Sequence, residues 1–317
     1  MTENDIVIGK CGWIFLAGGS NEVIRYYSEF GFFSADKMQR WAELLRARGD
    51  RARERGATYV HLAAPEKLSV YLEYFPRPVP FPRGGASRRL AAFLEQEAEH
   101  EEARTVFVDV TDALIDAKAE GKLLYWKTDT HWTFAGAYAA YLKLCERIGA
   151  RPNTAILSRG FNHGDLVLDL GSKVSPPISE AYETHHVLHD AYRDGANQLV
   201  VYKEENGFEG VGGLHQGSAV VYRNPNPDAD PRKLVLFGDS FSEYRPHLLT
   251  GILAETFSEV HFVWSAQVDW SYVDHVGPDV LVTQLAERFM NNVPEDDLNL
   301  EDFVTARIEA HRKESAQ

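Results

Sequence analysis

The feature that most constrains the fold is an alternation of short apolar runs with segments of helical periodicity. Strands are predicted at residues 57–64, 105–110, 233–237, 260–264 and 279–284. Helices are predicted at residues 34–56, 86–103, 134–148, 242–257 and 300–313. Parallel strands need long crossover connections, which helices commonly supply. The pattern therefore predicts an α/β fold with a mostly parallel sheet and helices on both faces.

Residues 151–230 differ in composition from the two halves that they separate. They are rich in Gly, Pro, Asn, Asp and His and contain only short apolar runs. We therefore expect one catalytic domain spanning residues 1–317, with a loop-rich insertion at about 151–230.

Charge and termini limit the partners and the location that the sequence predicts. The chain carries 33 Lys and Arg against 47 Asp and Glu, a formal net charge of −14, which disfavours binding to nucleic acid. The first residues lack the basic and apolar regions of a signal peptide, and no long apolar run is present. We expect a cytoplasmic protein, or a periplasmic one if the native protein carries an export signal ahead of these residues.

The segment Leu234–Ser242 (LVLFGDSFS) places a serine directly after a buried strand. Gly238 permits a sharp turn, and Ser240 then falls at the start of the predicted helix 242–257. Unpaired amides and the helix dipole at that position would stabilise an oxyanion, and the Ser240 amide is the one oxyanion donor that the sequence identifies. The alternative is that Asp239 or Ser240 only caps the helix.

A second segment supplies the groups that would activate such a serine. In Tyr125–Thr133 (YWKTDTHWT), Asp129 and His131 lie two residues apart, so that an extended backbone would point both side chains to the same side. Thr133 is placed to cap the helix at 134–148. Taken singly, these residues are typical of turns and packed cores. Together with Ser240 they predict a Ser-His-Asp triad.

These two segments resemble the alginate O-acetyltransferase family, whose catalytic domain has an SGNH-hydrolase-like fold, a three-layer sandwich. The likeness rests on Lys127–Trp132 (KTDTHW) and Gly238–Ser242 (GDSFS), with support from residues 9–16, 64–71 and 278–288. Asp129 and His131 precede Ser240, which is the permuted order of this acetyltransferase branch.

The resemblance implies that Ser240 is the nucleophile, His131 the general base and acid, and Asp129 the carboxylate that orients His131. It also implies that Lys67 and Arg288 lie near the site, where we expect them to contact the substrate. Aromatic residues such as Tyr244 and Trp132 lie within the catalytic segments, where they would either stack on sugar rings or belong to the core.

The predicted reaction is transfer of an acetyl group to a carbohydrate hydroxyl through an acetyl-serine intermediate. Hydrolysis by a carbohydrate acetylesterase uses the same triad, and a non-catalytic carbohydrate-binding scaffold is a further alternative. The acceptor is a carbohydrate or polysaccharide, while the acetyl donor stays open, with a membrane O-acyltransferase partner as one candidate. We expect no cofactor and no metal. The cluster His185, His186, His189 and Asp190 could present two ligands at helical spacing, but the nearby sequence offers neither a full set of four ligands nor a catalytic glutamate of the metalloprotease type.

Overall fold

The computed structural model describes residues 5–207, 211 and 213–315. Its strands are β1 (Ile6–Ile8), β2 (Ile14–Leu16), β3 (Thr58–Ala64), β4 (Phe107–Asp109), β5 (Phe161–Val167), β6 (Ser179–His185), β7 (Tyr192–Ala196), β8 (Ala219–Arg223), β9 (Asp230–Gly238), β10 (Phe257–Trp264) and β11 (Val280–Ala286). Its α-helices are α1 (Val23–Ser28), α2 (Ala35–Glu54), α3 (Lys67–Val70), α4 (Ala86–Leu94), α5 (Glu101–Val106), α6 (Thr111–Ala119), α7 (Phe134–Ile148), α8 (Gln198–Glu205), α9 (Leu249–Ala254), α10 (Trp270–Val276) and α11 (Leu300–Ser315).

A seven-stranded sheet in the order β4-β3-β11-β9-β10-β8-β7 forms the centre of the molecule. The first five of these strands are parallel, and β8 and β7 extend the sheet with antiparallel pairing. Every residue of β11 is buried, which requires that both faces of the sheet are covered. The predicted α/β architecture with helices on both faces is confirmed.

The helices pack against the sheet in two groups. In the first group, α2, α4 and α5 contact one another. In the second group, α7 contacts both α6 and α9. Each group reaches the sheet at β3, through α2 and α7 respectively. Thr133 caps α7 as predicted, since its hydroxyl accepts from the Gly136 amide. Ser34 caps α2 in the same way, with its hydroxyl accepting from the Lys37 amide. Among the described residues, no helix combines the length and apolar character needed to cross a bilayer.

Two predicted helices are shorter than expected. The helix expected at 86–103 is interrupted at Glu97, whose extended backbone lets buried His100 pack against Phe93 with ring centroids 4.7 Å apart. The helix expected at 242–257 is limited to α9, because a loop containing Pro246 precedes it and proline disfavours a helical residue before it.

Residues 151–230 contain more regular structure than their composition predicted. They form the antiparallel hairpin β5–β6, the helix α8 and the sheet strands β7 and β8. The segment thus completes one edge of the central sheet.

The carboxyl ends of the parallel strands define the functional edge of the sheet. Lys67 follows β3, Ser240 follows β9, and Arg288 follows β11. In an open parallel sheet, ligands bind outside this edge. Residues that are far apart in the sequence therefore meet here.

Candidate active site

Ser240, His131 and Asp129 form a continuous hydrogen-bonded chain at this edge. His131 Nε2 lies 2.7 Å from Ser240 Oγ, and His131 Nδ1 lies 2.6 Å from Asp129 Oδ1. All three side chains are half-buried. The structure thus brings together the three residues that the sequence predicted as a triad, in the spatial order that a nucleophile, its base and an orienting carboxylate require.

The backbone around Asp129 and His131 is a turn and not the predicted extended segment. Tyr125 and Trp132 pair as an isolated antiparallel bridge that closes the turn. Asp129 Oδ1 also accepts from the His131 backbone amide at 2.8 Å, a contact typical of aspartate turns. One carboxylate oxygen therefore fixes both the backbone and the ring of His131.

The carboxyl group of Asp129 is held in its charged form. Burial acts to raise its pKa, but the hydrogen bonds and the charge of His131 outweigh burial and lower the pKa to about 2. Asp129 is therefore ionised at neutral pH, as stabilisation of a protonated imidazole requires.

A network of buried polar contacts fixes the turn that carries Ser240. Asp239 accepts from the Phe241 amide at 2.9 Å and from the Ala286 amide at 2.6 Å. Gln284 Oε1 accepts from Ser242 Oγ at 2.6 Å and from the Asp239 amide at 3.2 Å. These contacts connect the turn that carries Ser240 to the end of β11.

The prediction that Ser240 lies at the start of a helix, where the helix dipole would act, is wrong. Ser242 donates its amide to the Asp239 carbonyl at 3.0 Å, so Ser240 lies in a turn, and α9 begins only at Leu249. Within the described part of the chain the Ser240 amide has no hydrogen-bond acceptor. That amide is available to an oxyanion, without help from a helix terminus.

Lys67 lies beneath the turn and not in the cleft. Its Nζ donates to the backbone carbonyls of Trp126 at 3.0 Å, Lys127 at 2.8 Å and Asp129 at 2.7 Å, and only 2% of the residue is exposed. Burial lowers its pKa to about 7, against the opposing charges of Asp169 and Asp129. The expected substrate contact is therefore corrected to a role in positioning the turn.

Arg288 is also committed to protein partners. Its Nε donates to Glu66 Oε1 at 2.5 Å, and its Nη2 lies 3.5 Å from the Thr130 carbonyl. Its guanidinium packs over the Phe241 ring at 5.3 Å. Arg288 lies near the site, as expected, but supports it from the buried side.

The two aromatic residues proposed as substrate contacts have other partners. Trp132 is 1% exposed and donates its Nε1 to the Phe241 carbonyl at 3.0 Å, so it belongs to the core. The Tyr244 hydroxyl lies 3.4 Å from Lys203 Nζ, and Tyr244 does not line the cavity that contains Ser240. The expectation that Trp132 contacts the substrate is therefore corrected, because its ring is buried, while that for Tyr244 stays a prediction.

Two acidic residues that sequence reasoning missed form hydrogen bonds to the turn that carries Asp129 and His131. Asp169 accepts from the Thr130 amide at 2.8 Å and from its hydroxyl at 2.6 Å. Glu180 accepts from the Lys127 and Thr128 amides at 2.9 and 2.8 Å. Both belong to the 151–230 segment, which therefore borders the site. No motif in the sequence distinguishes them from the other acidic residues there.

The only described group of side chains with metal-ligand spacing is Asp129, His131 and Asp169, whose ligand atoms lie within 4.8 Å of one another. Hydrogen bonds to Ser240 and Thr130 already occupy this group. The helical geometry considered for the histidine cluster at 185–189 is absent, because His185 ends strand β6 and stacks on Phe134 at 4.1 Å.

A cavity of about 530 Å³ opens beside Ser240. Its walls come from the loops after β9, β10 and β11 and from the residue Gln216. A larger cavity of about 640 Å³, lined in part by Arg151 and Glu255, contains no residue of the triad. The cavity at Ser240 has a size typical of small-ligand sites.

Comparisons with known proteins agree with this geometry. Residues 6–161, just under half of the chain, match the family model of the SGNH hydrolase-like domain of the acetyltransferase AlgX. This match includes Asp129 and His131 and ends before Ser240. A probable alginate O-acetylase AlgJ from Pseudomonas putida is 28% identical over 143 residues, which are 45% of this chain and 34% of that protein. The match thus spans about a third of the length of that curated relative.

Two solved structures share the fold. The O-acetyltransferase domain of Pseudomonas putida AlgJ has a TM-score of 0.60 at 17% identity, covering 95% of this chain and 97% of that one. Bacillus cereus PatB1 with a sulfonyl adduct has a TM-score of 0.61 at 13% identity, covering 92% and 100%. The SGNH-hydrolase-like fold is confirmed, as is the resemblance to the alginate O-acetyltransferases that the two motifs predicted.

Proposed function

We propose that this protein is an O-acetyltransferase that moves an acetyl group to a carbohydrate hydroxyl through an acetyl group on Ser240. The observation that carries the proposal is the position of His131, whose two ring nitrogens lie 2.7 Å from Ser240 Oγ and 2.6 Å from Asp129 Oδ1. An imidazole held in this way both removes a proton from the serine and returns it to a leaving group.

The first half of the reaction forms the acetyl-enzyme. Ser240 Oγ attacks the acetyl carbonyl of the donor while its proton passes to His131 Nε2. The ionised Asp129 stabilises the resulting imidazolium, and the unpaired Ser240 amide donates to the oxyanion. The donor's leaving oxygen then takes the proton from His131 as the bond to the acetyl carbon breaks.

The second half repeats these steps with the acceptor. His131 removes the proton from a sugar hydroxyl, whose oxygen attacks the acetyl-serine, and Ser240 regains its proton when the new ester leaves. Water in place of the sugar would give hydrolysis. The acceptor that enters the cavity therefore decides between the two reactions.

The test is turnover of p-nitrophenyl acetate by the wild-type protein and by Ser240→Ala, with and without saccharides. We expect nitrophenol release, acetylated sugar and an acetyl adduct on Ser240 by mass spectrometry for the wild type, and loss of all three in the variant. Ser158→Ala, which removes an exposed serine hydroxyl elsewhere, is the control and should behave as wild type.

Three results would contradict the proposal or narrow it. A folded Ser240→Ala protein with wild-type turnover would remove Ser240 as the nucleophile. Nitrophenol release with no sugar ester under any acceptor would indicate an esterase. Failure of a fluorophosphonate probe to label Ser240 in the folded wild type would favour the non-catalytic scaffold.

A further inference from the structure

The cavity beside Ser240 has two aromatic walls. Trp264 ends β10 directly beside Gly238, its partner in the parallel register, and Phe289 follows β11 with 37% of its surface exposed. His215 stacks on the indole of Trp264 with ring centroids 4.9 Å apart, which fixes the plane of that ring. Such aromatic surfaces suit the apolar faces of pyranose rings.

The polar groups of the cavity are amides and carboxylates. Gln216, Gln267 and Asn292 supply amides, and Glu295 and Asp297 supply exposed carboxylates. Among the described residues that line the cavity, none is Lys or Arg. The cavity therefore offers hydrogen bonds to hydroxyl groups and no cation to an anionic ligand.

The acidic wall is held in place by a buried ion pair. Arg48 donates to both carboxylate oxygens of Asp296 at 2.8 and 2.6 Å, and the Val268 amide donates to Asp296 at 2.9 Å. Asp296 has a φ of 57°, a conformation that few non-glycine residues adopt. Glu295 and Asp297, on either side of it, are thus carried on a fixed backbone.

The arginines around this edge are already paired with carboxylates. Arg48 pairs with Asp296, Arg288 with Glu66, and Arg245 with Glu243. A carboxylate entering the cavity would therefore meet Glu295 and Asp297 without a free arginine partner among these three.

We infer that the cavity beside Ser240 binds an uncharged saccharide as the acceptor and excludes polymers of uronic acids. This inference rests on the proposed function, since it names the acceptor class for the same nucleophile. The net charge of −14 acts in the same direction, because it repels polyanions at longer range.

The test measures binding separately from catalysis. Ser240→Ala protein is titrated with neutral cello- and chito-oligosaccharides and with oligomannuronate and oligogalacturonate of equal length, by calorimetry at low and high salt. We expect at least one neutral series to bind ten-fold or more tightly than either uronate at low salt, with a smaller difference at high salt. Equal or tighter uronate binding, or binding of neither class, overturns the inference.

Charge variants test whether Glu295 and Asp297 cause the preference for neutral saccharides. In the Ser240→Ala background, Glu295→Gln with Asp297→Asn should raise uronate affinity several-fold while neutral affinity changes by less than three-fold. Glu301→Gln with Asp302→Asn is the matched control, since it removes the same charge from exposed positions on α11 and should leave the preference unchanged. An equal effect of the two pairs would assign the preference to net charge and overturn the role of the cavity.

Ester turnover by the wild type separates the two proposals. Turnover at Ser240 together with uronate binding as tight as neutral binding would overturn this inference alone. Neutral saccharide binding by a wild-type protein that neither turns over esters nor labels at Ser240 would overturn the proposed function and with it the assignment of the sugar as an acceptor.

Discussion

At the scale of single residues, the two carboxylates beside His131 hold different parts of the same turn. Asp129 binds the ring and the amide of His131, whereas Asp169 binds the amide and hydroxyl of Thr130. Of these two carboxylates, only Asp129 forms a hydrogen bond with the imidazole ring. The two residues should therefore respond differently to the loss of a negative charge.

Replacing Asp129 by Asn tests the orienting role. Asn keeps an oxygen for the His131 amide but supports the wrong imidazole tautomer, so turnover of p-nitrophenyl acetate should fall by about 10⁴-fold. Asp165→Asn, an exposed change in the nearby strand β5, should leave turnover within two-fold of wild type. Unchanged turnover in Asp129→Asn would leave Ser240 and His131 as a dyad.

The low pKa of Asp129 also predicts how stability depends on pH. The pKa of the Asp129 carboxyl is about 2 in the folded protein, whereas its unperturbed value is 3.8. The ionised carboxylate therefore stabilises the folded state by about 2 kcal/mol above pH 4. This contribution is lost as the pH falls from about 4 to 2. The free energies of unfolding of wild type and Asp129→Asn, measured with urea, should therefore differ at pH 6 and become equal near pH 2. A difference that stays constant with pH would argue against the lowered pKa of Asp129.

At the scale of elements, the sequence predicts those strands and helices whose pattern is determined locally. Helix α7 begins after its predicted cap Thr133, and β3, β10 and β11 lie within a few residues of their predicted bounds, because apolar periodicity and capping are local signals. The turn at 125–132 and the loop after Ser240 depend on partners elsewhere in the chain, such as Gln284 and Glu180. Their composition alone therefore led to the wrong local structure.

The start of α7 depends on a close approach that only glycine permits. A Cβ atom at Gly136 would lie 2.3 Å from the Leu124 carbonyl and 2.7 Å from Trp132 Cβ. Gly136→Ala should lower the free energy of unfolding by about 2 kcal/mol or more and reduce turnover, because the displaced Trp132 follows His131. Thermal melting and turnover assays measure both effects.

The matched control is the helical glycine Gly49 in α2. A Cβ there meets only ordinary contacts, 3.6 Å from Val106 and 4.0 Å from Tyr59. Because alanine favours helix more than glycine does, Gly49→Ala should be neutral or stabilise by up to about 1 kcal/mol. An equal loss of unfolding free energy in the two variants would show that the destabilisation does not arise from the close approach at Gly136.

At the scale of the whole molecule, Ser240 follows an inner strand of the central sheet, whereas Asp169 and Glu180, which hold the turn at 125–132, belong to the separate β5–β6 hairpin and its connection. Strands β9 and β11 are inner strands of the central sheet, whereas every residue of β5 is exposed in a separate two-stranded hairpin. Local opening is easier where few apolar contacts must be broken. The hairpin should therefore open locally at a lower free energy than the inner strands.

Hydrogen exchange would measure this difference. Amides of β9 and β11 should exchange most slowly, at rates that follow global unfolding, and those of β5 and β6 faster by several orders of magnitude. Uniform protection across the hairpin and the central strands would contradict this prediction. Mass spectrometry of peptides from each strand provides the rates.

The turn that carries Asp129 and His131 is held largely through its backbone. Lys67 and Glu180 together contact three carbonyls and two amides between Trp126 and Asp129, and the Ile14 amide donates to the Lys127 carbonyl. In the contacts of the described residues, Lys127 takes part through main-chain atoms alone. A position held in this way tolerates changes of side chain, so saturation mutagenesis at residue 127 offers a route to variants with a reshaped surface beside an unaltered triad.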